Sequence, residues 1–324
     1  RALRVANANA AERILTASMR RGGDAEGVTL VRTGLGVPDA VAALRGSPDV
    51  VYAEPNWVYT TDAVNDPYFA NGSLWGMYGA ATTPANPFGS GAAAAWANGA
   101  GDCGTVWVGI IDEGYMFAHA DLAPNAGVNP GEIAGNGRDD DGNGYVDDVR
   151  GWDFDRNDGT VYDGTADDHG THVAGTIGAA GNNGTGVVGV CRSVRLSNAK
   201  FLGRNGGTTA NAIRAVDYFT DLKTRHGLNL VATNNSWGGG GFSQGLQDAI
   251  ARANAAGILF VAAAGNSTVN CDTGSCFPAE YQVPNVIAVA SITSTGAISS
   301  FSNFGARTIH LGAPGSGIWS TVPG

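Results

Sequence analysis

Between Thr105 and Ile292, short apolar, β-branched runs recur, most of them separated from the next by a stretch with helical periodicity. This alternation constrains the fold more than any other feature of the chain. The runs TVWVGIID (105–112), SVRLSNAKFL (193–202), NLVATNNSW (229–237), ILFVAAAG (258–265) and NVIAVASI (285–292) read as buried strands. Between them, THVAGTIGAAG (171–181), TTANAIRAVDYFTDLKTRHG (208–227) and FSQGLQDAIARANAAG (242–257) read as helices. Such alternation predicts right-handed βαβ units and an α/β fold, a mostly parallel sheet with helices on both faces. Groups that do chemistry in such sheets gather beyond the carboxyl ends of the strands.

Residues 1–60 read as a separate small α+β unit. VTLVRTG (28–34) and DVVYAEPNWVY (49–59) predict strands, and VPDAVAALRGS (37–47) a short helix opened by Pro38 and Asp39 and closed by Gly46. An earlier helix is expected over NAAERILTASMRRGG (9–23). A unit this small is marginally stable by itself. TTDAVNDPYFANGS (60–73) reads as a linker into a second domain, residues 61–324.

Composition narrows the function. Net charge is −10, against a nucleic-acid partner, which needs a basic stripe. No apolar run reaches the ~20 residues that span a bilayer. Of the four cysteines, Cys271 and Cys276 flank a glycine-containing turn and pair easily, which leaves Cys103 with Cys191; four reduced core thiols are the alternative.

Three polar residues stand where the fold places chemistry. Asp112 closes VWVGIID, His169 opens HGTHVAG, and Asn266 follows FVAAAG. A lone Asp at a strand end is weak evidence, and a lone His opening a helix is usually a cap or a surface residue. HGTHVAG is far more specific. Together with VGIIDEGYMFAHADL, NNSWGGGG, VAAAGN and APGSGIWSTVPG, it resembles the motifs of the subtilisin-like serine proteases, the subtilases, over nearly the whole chain. One departure is Glu113, where that family usually has a small hydroxyl residue.

The resemblance implies a serine endopeptidase acting on polypeptides. A serine hydroxyl is a poor nucleophile until a base takes its proton. His169 is then the base, Asp112 the carboxylate that orients its ring, and Asn266 a donor to the developing oxyanion. Substrate would lie as an added strand against Ser236, Trp237 and Gly238, with Gly206 and Gly207 near the other edge. Ala263, Ala264 and Gly265 would line the pocket for the side chain before the cut bond, and small residues there suit a roomy apolar one. His172 follows His169 at helical spacing, but no glutamate base accompanies the pair as in HExxH, so it reads as structural rather than metal-binding.

Calcium is the expected cofactor. In DDDGNGYVDD (139–148), Asp139, Asp141 and Asn143 alternate, Gly144 permits the tight turn and Tyr145 offers a carbonyl, as in the first half of an EF-hand loop. Position twelve is Arg150, so Asp147 or Asp148 must complete the shell. The resemblance implies a second site from Asp66, Asp121 and Asn183 with the carbonyls of Gly181, Thr185 and Val187.

Residues 1–60 resemble the end of a subtilase propeptide, and NDPYF the start of a mature enzyme. This implies a secreted zymogen whose propeptide assists folding and leaves its tail in the substrate cleft, with cleavage between Tyr59 and Asn65. APGSGIWSTVPG is similar to the stretch leading into the serine motif, a GTS-type sequence that these residues do not contain. The 324 residues alone are therefore expected to be inactive, the serine coming from a C-terminal fragment or a second chain. The alternative expectation is a catalytically dead structural or binding module.

Overall fold

The computed structural model describes residues 13–21, 25–48, 50–55 and 64–324. The chain divides into two compact units, Arg1–Thr61 and Asp62–Gly324.

The first unit contains β1 (Arg13–Arg21), β2 (Ala25–Thr33), α1 (Val37–Arg45) and β3 (Val50–Pro55). Its sheet runs β2-β1-β3, antiparallel throughout. The helix expected over 9–23 is thus a central strand where it is described. Leu15, Ala17 and Met19 alternate with Thr16 and Ser18, a period of two rather than 3.6. Hydrogen bonding to strands on both sides satisfies the backbone of β1 and outweighs the helix propensity of its Ala and Arg. From α1, Ala40 and Val41 bury against Ala53. The tail Asn56–Tyr59 and the segment to Ala63, which hold most of the expected cleavage region, lie outside the described residues.

The second unit opens with two short helices, α2 (Pro67–Ala70) and α3 (Ala92–Ala97). Then follow β4 (Trp107–Asp112), β5 (Gly151–Asp153), α4 (Asp168–Gly178), β6 (Arg195–Lys200) and α5 (Thr209–Thr224). β7 (Leu230–Asn235), α6 (Gln244–Ala255), β8 (Leu259–Ala263), β9 (Val286–Ile292) and β10 (Leu311–Pro314) complete it. The seven strands β4–β10 form one parallel sheet in the order β10-β9-β8-β7-β4-β6-β5.

Helices cover both faces. Successive strand residues point to opposite sides, and the fully buried pair Ile110 and Ile111 shows the consequence. Ile111 joins a core with Phe219 and Leu222 of α5 and Ile250 of α6, whereas Ile110 joins a second core with Ala174 of α4 and Leu122. The expected doubly covered parallel sheet is therefore present. It has two strands the pattern did not announce, because β5 and β10 span only three and four residues. Both disulfides form, Cys103–Cys191 and Cys271–Cys276, and no described cysteine is free. Among the described residues no helix is long and apolar enough to cross a membrane.

Candidate active site

Strand order decides which residues meet. β4, β7 and β8 are neighbours, with Ile110 beside Asn234 and Asn235 beside Ala262. The carboxyl ends of these strands therefore share one edge of the sheet, and Asp112, Ser236 and Asn266 follow from them within a few residues. At about 4.8 Å per strand, β4 and β8 are roughly 10 Å apart there.

Asp112 is fully buried at the end of β4, while His169, in the first turn of α4, has its side chain half exposed. His169 Nδ1 lies 2.8 Å from Asp112 Oδ1. The same oxygen accepts the Glu113 N–H, and Asp112 Oδ2 is buried without a partner. With Nδ1 engaged, Nε2 is the ring nitrogen left for proton exchange. The hydrogen bond to Asp112 is the main cause that raises the pKa of His169 above its ordinary 6.5; burial opposes it, and the charges of Asp112, Glu113 and Asp168 add to it.

Residues to which the sequence reading gave no site role fix the two elements together. Glu113 Oε1 accepts the His169 N–H at 2.6 Å and so caps the start of α4. Lys200, paired with Asp112 across β4 and β6, is buried; its ammonium bonds the Glu113 carbonyl, Asp167 Oδ1 at 2.7 Å and Asp163 Oδ2 at 3.2 Å. Gly170 faces Gly114 so closely that a methyl group would overlap the Gly114 carbonyl oxygen.

A cavity of about 390 Å³ opens along the ends of β7 and β8. Ser236, Trp237 and Gly238 line it, as do Ala263, Ala264, Gly265 and Asn266. Gly239 and Gly240, which also suit plain turn chemistry, line it too. Gly206 and Gly207 do not line it; Gly206 closes a tight turn onto Gly203, and Gly207 packs on Phe201. His172 Nε2 meets the Ile318 carbonyl at 3.1 Å.

The acidic loop is arranged differently from its linear pattern. The carboxylate oxygens of Glu132, Asp139 and Asp141 lie within 4.8 Å of one another. Glu132, which no spacing rule picks out, leaves one buried oxygen without a hydrogen-bond partner, as a cation site would require. Asp147 is not in this group: its carboxylate accepts the N–H groups of Gly135, Asn136 and Gly137. Asp148 is fully buried and bonded to Asn129, Asn143 and Tyr218, and Tyr145 packs its ring on Trp152 and Tyr218. At the second expected site, Asp66 and Asp121 are both fully buried. Asn183 donates its side-chain amide to Asp121 at 2.8 Å, and Asp66 accepts the Asn182 and Asn183 N–H groups. The Val187 N–H also donates to Asp121. Burial, reinforced by the charge of Asp121, raises the pKa of Asp66.

The family model described as the subtilase family matches residues 104–323. Subtilisin DY of Bacillus licheniformis is 36% identical over 219 residues, 67% of this chain and 67% of its own. The extracellular basic protease of Dichelobacter nodosus is 33% identical over 303 residues, 88% of this chain and 47% of that protein. The thermophilic serine proteinase of Bacillus sp. (strain AK1) is 32% identical over 290 residues, 89% of this chain and 60% of that one. The chain thus spans between about half and two thirds of these relatives. Among solved structures, a protease from Pseudoalteromonas arctica PAMC 21717 is similar with a TM-score of 0.56 and 28% identity, covering 82% of this chain and 80% of its own.

Proposed function

The chain belongs to the subtilase family, and from that premise we propose that it belongs to a secreted, calcium-stabilised serine endopeptidase in precursor form. The carrying observation is the 2.8 Å hydrogen bond between a fully buried Asp112 and a half-exposed His169, on the same sheet edge as a cavity that Asn266 helps to line. His169 takes the proton of a serine hydroxyl and returns it to the leaving amine. Asp112 holds the ring in the tautomer with Nδ1–H and stabilises the imidazolium. Asn266 donates its amide to the tetrahedral oxyanion, and the cavity between β7 and β8 accepts the side chain before the cut bond.

No GTS-type motif occurs among these 324 residues, so no residue of theirs is assigned as the nucleophile. Residues 1–60 serve as the propeptide. Glu132, Asp139 and Asp141 would hold calcium, with Asp66, Asp121 and Asn183 as a second set; bound there, the ion neutralises clustered carboxylates and so stabilises the fold. Two disulfides and the extracellular protease of Dichelobacter nodosus among the relatives support secretion.

Fluorophosphonate labelling of the intact native protein tests the reading. One serine should be labelled, and D112N should lower peptide hydrolysis by about 10⁴-fold, the order seen when a triad carboxylate is lost. No labelled serine and no dependence on Asp112 or His169 would leave a non-catalytic binding module.

A further inference from the structure

We propose that Asn303 is the positioning residue for Asn266, holding the turn that carries this donor against the cavity. The proposal rests on the reading of Asn266 given above.

Asn303 lies on the loop between β9 and β10 and is 6% exposed. Its side-chain amide donates to the Ala264 carbonyl at 2.8 Å and reaches Cys276 Sγ at 3.6 Å. Its side-chain oxygen accepts the N–H groups of Ser267 at 2.9 Å and Val269 at 3.0 Å. Its main-chain N–H donates to the Gly265 carbonyl at 2.8 Å. One residue therefore grips the backbone at 264 and 265 before Asn266, and at 267 and 269 after it. The two donors and two acceptor positions of the amide are all used, which leaves it one orientation.

Asn266 has no such restraint of its own. It is exposed, and no hydrogen bond among the described residues holds its side chain. Where its amide points is set by the backbone. That backbone passes through Thr268 at φ +55°, a left-handed conformation that a β-branched residue disfavours. Such conformations persist only where the surroundings over-determine them. A Cβ at Gly265 would stand 2.5 Å from Asn303 Nδ2, so the glycine also makes room for the clamp. A second fastener in the same region acts elsewhere: Asp272 accepts the N–H groups of Ala306, Arg307 and Thr308 and does not line the cavity. It provides a purely structural control.

The test is a double-mutant cycle in the intact, serine-bearing protein, with kcat on a peptide anilide normalised by active-site titration so that only competent molecules count. N266A should lower kcat ~10²–10³-fold, a magnitude established on a subtilisin. N303A should lower kcat by roughly 10- to 10²-fold, as a misplaced group does. N303A/N266A should be no slower than N266A within about a factor of three, because a clamp without a donor to position has no catalytic effect left. N303D keeps the volume and the acceptor but sets a carboxylate oxygen against the Ala264 carbonyl; it should lose kcat as N303A does, and it carries the test if N303A folds poorly. D272A should lower the melting temperature and leave kcat unchanged. Losses for N303A and N303D that multiply with that of N266A, or kcat within about twofold of the parent in both, overturn the proposal. An N266A variant with undiminished kcat overturns the oxyanion reading itself.

Discussion

Replacing Lys200 by Met removes a buried ammonium while nearly preserving side-chain volume, so the cost is electrostatic rather than a cavity. All three donors of the ammonium are engaged, by Asp167, Asp163 and the Glu113 carbonyl. The two carboxylates then differ. Asp163 keeps Arg156 at 2.5 Å. Asp167 Oδ2 keeps the Asp163 N–H at 2.6 Å, but Oδ1, in a side chain 6% exposed, loses its only counter-charge among the described residues. Breaking a buried pair from one side costs about 3–5 kcal/mol, because a charge is left uncompensated. At about 2–3 °C per kcal/mol for a unit of this size, calorimetry should show a melting temperature lower by roughly 10 °C. K200M/D167N should recover at least half of that loss, since the stranded charge is gone. A K200M melting temperature within about 2 °C of the parent, or losses in K200M and D167N that simply add, would refute the argument that Lys200 fastens the end of β4 to the start of α4.

Three further outcomes are expected. E113Q removes one of the negative charges near His169 while Asp112 and Asp168 remain, so the pKa of His169 falls and the acid limb of the pH–rate profile moves to lower pH; an unmoved limb counts against it. Chelation should lower the melting temperature, by an amount equivalent to about 2.7 kcal/mol if the ion was present at a hundred times its dissociation constant, and E132Q should blunt the effect. Removing Cys103–Cys191, separated by 88 residues, should cost about 4–5 kcal/mol in denaturant unfolding, against about 2 for the five-residue separation of Cys271–Cys276; equal costs would contradict the chain-entropy account.

What could be read from the sequence was what is local. Runs such as VWVGIID and FVAAAG are one strand each, so their ends, and Asp112 and Asn266 with them, were visible without any tertiary knowledge. Strand β1 was misread because Ala and Arg favour helix in isolation, whereas its state is decided by partners on both sides. Glu132 escaped because it joins Asp139 and Asp141 through a loop whose path no spacing rule encodes, while Asp147, inside the pattern, turns to the 135–137 backbone instead. Lys200, Asp163 and Asp167 meet from β6 and the approach to α4, and Asn303 meets residues 264–269 from more than thirty positions away. Such contacts leave no periodic trace.

These non-local residues share a physical role. A group that must touch substrate cannot be buried, and an exposed side chain is free to rotate unless something beneath it is fixed. On the proposed mechanism His169 and Asn266 are the exposed members, and each stands on a buried polar group: Asp112, through one carboxylate oxygen, under the imidazole, and Asn303, with all its amide positions engaged, under the turn. A buried polar atom left unsatisfied costs about 1–3 kcal/mol, so Asn303, whose four positions are all engaged, has one low-energy orientation and passes that definition upward. Lys200 does the same for the join between the two elements that carry Asp112 and His169. On this argument, substitutions that keep hydrophobicity but break buried polar pairing should damage the site more than larger changes on its rim.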